Sequence, residues 1–104
     1  MIIINDLAWI LSQEESPDLE RALELAETAV SRVPESPRFR DTLGTVLVKL
    51  GRHKDAISEL QLALSGVPDK NAVHQKLAFC YKSIGMNDLA KKHLQKIEDT
   101  KDLP

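Results

Sequence analysis

The feature that most constrains this chain is a period. Leu43-Gly44, Leu47, Gly51, Ala56 and Leu60 return 34 positions later as Leu77-Ala78, Tyr81, Gly85, Ala90 and Leu94. Leu7-Ala8 and Leu11 open an earlier copy in the same frame, and its second half, Ala22, Ala26, Ala29 and Pro34, precedes Ala56, Leu60, Ala63 and Pro68 by 34. The copies are 1–36, 37–70 and 71–104, and the two extra residues of the first fall in Gln13-Glu14-Glu15-Ser16. A fixed period of this length marks a fold of stacked units, each too small to bury its own apolar face alone. One domain over 1–104 is the expectation for 104 residues, a length that buries roughly two-thirds of the unfolded surface.

Within a copy the apolar spacing is helical. Phe39, Leu43, Val46, Leu47 and Leu50 fall on one stripe with the 3.6-residue period of an α-helix. Ser16-Pro17 and Ser36-Pro37 each offer a side-chain cap followed by proline at the first helical position, where the missing N–H costs nothing, and both are expected to open helices. Gly51 and Gly85 suit left-handed helix ends, and Pro34 and Pro68 close the second helix of a pair. The pattern predicts helices at about 2–12, 17–32, 37–50, 53–66, 71–84 and 87–99. Gly44 and Ala78 leave room for the paired helix, with Ala56 and Ala90 as the expected small surface opposite.

These residues resemble the tetratricopeptide repeat, whose pattern carries an aromatic at repeat position 4, Leu at 7, Gly at 8, Tyr at 11, Ala at 20, an aromatic at 24, Ala at 27 and Pro at 32. Leu43, Gly44, Leu47, Ala56, Leu60, Ala63 and Pro68 fit it closely; Arg40 and His74 stand where an aromatic is usual, and Ile97 replaces an alanine. The resemblance implies an all-α, right-handed superhelical solenoid of three antiparallel helix pairs. Asn5-Asp6-Leu7-Ala8-Trp9, Ser36-Pro37 and Asp41-Thr42-Leu43-Gly44 further resemble C-terminal repeats of long bacterial tetratricopeptide proteins.

Charge and composition narrow the functions. Fourteen basic against sixteen acidic residues give a net −2, without the uniform positive field that nucleic acid or an anionic membrane requires. Met1-Ile2-Ile3-Ile4 is too short and too quickly followed by Asn5-Asp6 to be a leader, and charges interrupt every apolar stretch before it could span a bilayer. The single cysteine, Cys80, forbids an intrachain disulfide and leaves both a reducing and an oxidising compartment open. Six residues separate His74 from Cys80, about 600° of helix, so the two face different ways. Cys80 stands where the family usually has a packed alanine, and His53 and His74 where an aromatic ring commonly packs, so the resemblance implies packing roles for all three. Glu14-Glu15 and Glu98-Asp99 read as solvated surface acids. No phosphate loop, nucleophile elbow or metal-ligand spacing occurs, so neither an enzyme, nor a metal, nor a cofactor is expected.

The resemblance implies instead a concave partner-binding groove lined by the first helix of each pair. Its positions carry over as Asn5 and Trp9; Arg38, Asp41, Thr45 and Lys49; Gln75, Lys76, Phe79 and Lys82. Of the positions with which chaperone-binding members hold a C-terminal carboxylate, only Lys76 has a suitable residue. Lys49, Lys76 and Lys82 around Phe79 imply a weakly basic groove for an acidic or amphipathic peptide or protein segment. The main alternative is a structural assembly or oligomerisation module at the C-terminal end of a longer protein; an RNA-binding repeat ranks third, for want of a basic groove. Repeat 1–36 holds two basic and eight acidic residues, a net −6, while 37–70 and 71–104 are each +2, a polarity suited to head-to-tail association or to a ligand oriented along the groove. Ile57, Leu62 and Leu64 are expected to meet a following helix; Lys91, Lys96 and Glu98 replace them in the last copy, an expected polar cap. The opposite end, with Ile2, Ile3, Ile4 and Ile10, is expected to meet a neighbour, either an upstream repeat or a second copy, a homodimer through the N-terminal helix being the simplest closed form.

Overall fold

In the computed structural model, which describes residues 1–13 and 18–101, the described residues form six α-helices: α1 (Ile2–Gln13), α2 (Leu19–Arg32), α3 (Pro37–Lys49), α4 (His53–Ala63), α5 (Lys70–Ser83) and α6 (Asn87–Lys101). They pair as α1 with α2, α3 with α4 and α5 with α6, and each pair packs on the next through α2 against α3 and α4 against α5. This is the all-α helical-repeat solenoid that the period predicts.

Local chemistry sets the boundaries. The hydroxyl of Ser36 accepts the Phe39 N–H at 3.2 Å, with Pro37 in the first turn, as Ser36-Pro37 leads one to expect. The other expected start is corrected. Ser16-Pro17 lies outside the described residues, and the cap of α2 is Asp18, whose carboxylate accepts the Arg21 N–H at 3.1 Å. Asp69 does the same for the Ala72 N–H and opens α5. An aspartate cap satisfies an orphan donor and adds a favourable charge at the positive end of the helix dipole. At the far end, Gly51 (φ 79°) and Gly85 (φ 83°) take left-handed backbone. Arg52 N–H bonds Leu47 O at 2.9 Å and Gly51 N–H bonds Val48 O at 3.0 Å, with Met86 to Tyr81 and Gly85 to Lys82 repeating the pattern; this is the six-to-one, five-to-two closure of a Schellman end. Helix α4 stops at Ala63, three residues short of expectation, because Ser65 and Gly66 bond back only three residues, to Leu62 and Ala63.

The core shows why position 44 is small. A Cβ at position 44 would lie 2.7 Å from both Cγ and Cδ2 of Leu60, so this glycine makes room for the Leu60 side chain of α4. Ala56, Leu60 and Ala63 are fully buried, together with Ala8, Ala26, Ala29, Val73 and Leu77. Arg40, at the usual aromatic position, bonds Glu59 at 2.8 Å and the Pro34 carbonyl at 3.1 Å, bracing α3 against α4 with both charges mostly buried. Ile57 and Leu64 are half-buried against the core, whereas Leu62 is exposed and does not meet a following helix as expected. Lys91 and Lys96 are exposed, in keeping with a polar last helix; the side chains of Glu98 and Asp99, and the whole of Glu14 and Glu15, lie outside the described residues.

Candidate partner-binding groove

The first helices of the three pairs, α1, α3 and α5, lie side by side, with α3 touching both others. Polar cross-links run between them. Arg38 on α3 pairs with Asp6 on α1. Lys76 on α5 bonds Asp41 on α3 at 3.1 Å and reaches over the Trp9 ring of α1, 5.6 Å from its centroid. The Lys49 ammonium donates to the Ser12 carbonyl at 2.7 Å. That carbonyl sits in the last turn of α1, which has no basic residue of its own, so Lys49 supplies the cation that a helix C-terminus favours.

These contacts sort the expected groove residues. Asn5 is 1% exposed, and its Oδ1 is buried without a hydrogen-bond partner. It borders a recess of about 220 Å³ lined also by Asp6, Trp9, Arg38, Asp41 and Thr42. Thr45 is buried and spends its hydroxyl on the Asp41 carbonyl at 2.9 Å, so its side chain belongs to the helix more than to the surface. Gln75 and Lys82 are exposed. Phe79 is 54% exposed and rests edge-on against His53, with ring centroids 5.6 Å apart at 68°. The charges of Lys49 and Lys76 are engaged within the chain. The free basic character therefore shifts toward Lys82, beside Phe79.

One constellation escaped the sequence reading. His74 and His93, on paired helices α5 and α6, bring their Nδ1 atoms to 2.8 Å. Tyr81 stacks on His93 at 5.6 Å and 10°, and its hydroxyl accepts from Gln61 at 3.1 Å. Burial foremost, then Lys96 and Lys70, lowers the His74 pKa; burial foremost, then His74 and Lys96, lowers that of His93. A neutral pair shares one proton between the two nitrogens, one ring donating and the other accepting. The available signal was His74 at an aromatic position, which implies a ring from the paired helix opposite. Two imidazoles fall short of a zinc ligand set, and among the described residues no third His, Cys, Asp or Glu joins them. Cys80 is fully buried, and burial pushes its thiol pKa up, away from the reactive thiolate. Among the described residues no helix is long and apolar enough to cross a membrane.

Known proteins fit this geometry. Residues 15–78 match the family model described as tetratricopeptide repeat. The TPR repeat-containing thioredoxin TTL4 of Arabidopsis thaliana is 34% identical over 73 residues, which are 70% of this chain and 11% of that protein. The fold is similar to solved structures of MamA: the AMB-1 form has a TM-score of 0.82 at 26% identity, covering 94% of this chain and 57% of that one. The MSR-1 form gives 0.81 at 26% identity, with 94% and 55% covered. The chain thus spans about a tenth of the curated relative and little more than half of these solved chains. Tetratricopeptide repeats mediate protein–protein interaction, and on the matched repeats and the shared architecture this chain belongs to the tetratricopeptide-repeat family.

Proposed function

We propose that the concave face of α1, α3 and α5 binds a segment of a partner protein, acidic or amphipathic in character, and that the chain acts as a scaffold and not as a catalyst. The observation that carries this reading is the recess at Asn5. Asp6, Arg38, Asp41 and Thr42 set donors and acceptors around it beside the Trp9 ring, groups that can meet the backbone and side chains of an extended segment laid along the groove. Phe79 supplies an apolar anchor at the other end. Trp9, Arg38, Asp41, Gln75 and Lys76 line the path between, with Thr45 and Lys49 behind them. Lys82 speeds encounter with an acidic segment, while contact with Phe79 slows its release. Peptides selected on the immobilised chain from a random library provide the test. Phe79→Ala and Lys82→Glu are each expected to weaken the selected peptides severalfold or more, the first through the off-rate and the second in a salt-dependent way. A ligand insensitive to both would overturn the groove assignment.

A second reading has its own observation. Ile2, Ile3 and Ile10 on α1 are exposed, and Ile4 alone of the four packs inward. This favours an assembly module that joins another copy through its first helix, with a homodimer as the minimal product. Sedimentation equilibrium tests it, and a mass that stays monomeric at high micromolar concentration would exclude it.

A further inference from the structure

The repeat register supplies what sequence cannot: the state of each α1 position once it is covered. Ile3, Leu7 and Ile10 correspond to Phe39, Leu43 and Val46 in α3 and to Val73, Leu77 and Cys80 in α5. All six counterparts are at most 6% exposed, whereas Ile3 is 82%, Leu7 43% and Ile10 56% exposed. α3 and α5 each lie against the second helix of the preceding pair, α2 or α4, and among the described residues no helix lies in the equivalent place against α1. At the other end, Leu94 occupies the position of the fully buried Leu60 and is 49% exposed. Both ends thus leave open positions that the middle of the array buries.

We propose that copies of this chain stack head to tail, the last helix α6 of one copy covering the Ile3–Leu7–Ile10 face of α1 in the next, as α2 covers α3 and α4 covers α5. The proposal rests on the assembly reading above and fixes its geometry. Charge chooses between the two ways that a second copy can cover α1. Joining α1 to α1 brings together two repeats of net −6, whereas α6 to α1 brings a +2 repeat onto a −6 one, which favours encounter and weakens with salt. Lys91 stands where α4 has Ile57; its methylene stem covers apolar surface while its ammonium stays in water. A head-to-tail contact uses two different surfaces and does not close on itself.

The test separates the ends. Ile3→Lys blocks the α1 face and leaves α6 intact, and Leu94→Glu does the reverse; both sites are exposed, and circular dichroism checks that each variant keeps its helicity. Lys91→Glu is a second block at the α6 end, at an exposed position. By sedimentation velocity the unmodified chain is expected to grow beyond a dimer with concentration and to dissociate as salt rises. Each variant alone is expected to stay monomeric, and an equimolar mixture of Ile3→Lys with either α6 variant to form a one-to-one complex. If the α6 variants dimerise as readily as the unmodified chain, the contact is α1 to α1 and the head-to-tail geometry is wrong; if the unmodified chain stays monomeric, the assembly reading falls with it.

Discussion

Replacing Gly44 by alanine sets two effects of known sign against each other. Alanine is about 1 kcal/mol better than glycine inside a helix, so at an open site in α3 the change would stabilise. Here the new Cβ meets Cγ and Cδ2 of Leu60 at 2.7 Å, well inside van der Waals contact, and the Leu60 amide nitrogen at 3.5 Å. Leu60 is fully buried within the core cluster, where overpacking of this kind costs about 1–3 kcal/mol. The clash outweighs propensity: a net loss of about 1 kcal/mol is expected, lowering the melting midpoint by about 4 °C or more for a domain of this size. Gly44→Leu is worse, because its further carbons have nowhere to go. The decisive measurement is a thermal and urea double-mutant cycle with Leu60→Ala, itself expected to cost about 2–5 kcal/mol. In that background the obstruction is gone, and Gly44→Ala should turn stabilising. The same sign in both backgrounds, or a raised midpoint in the unmodified one, would refute the packing argument.

Gly51→Ala provides the contrast: no atom lies within 4 Å of the added Cβ, so its expected cost of about 1–2 kcal/mol comes from the positive φ alone, and urea unfolding should give that loss whether or not Leu60 is present. For the histidine pair the sign follows from depressed folded pKa values. Unfolded histidine takes up a proton near 6.5 while the folded pair resists it, so the pair's contribution is complete above that pH and declines as pH falls below it, by at most about 1.4 kcal/mol per pH unit for each ring. Melting midpoints should therefore drop between about pH 6.5 and pH 5, with a shallower drop in His93→Phe, and an unchanged slope would remove the pair from the account. Cys80 should react with a thiol-disulfide reagent at the rate of unfolding in water and at once in denaturant; fast labelling of the folded chain would contradict its burial.

The period, the helix type and nearly every boundary belong to local sequence. Spacing, proline, glycine and short capping side chains act through backbone geometry within four or five residues, so Ser36-Pro37, Gly51 and Gly85 announce their roles without a fold. Asp18 and Asp69 carry the same local capping chemistry, but nothing in the spacing alone ranks Asp18 above the adjacent Ser16-Pro17. What joins residues across helices was not legible. That Leu60 fills the notch at Gly44, that Lys49 and Lys76 spend their charges on Ser12 and Asp41, and that His74 and His93 share a proton all depend on side-chain reach across elements that sequence spacing does not measure. The candidate groove divides the same way: repeat position names its residues, but burial of Thr45 and Asn5, exposure of Phe79 and the open face of α1 follow from which neighbours the tertiary structure supplies. A repeating sequence sets the same side chain in each unit, and only the stacking decides whether water or another helix covers it.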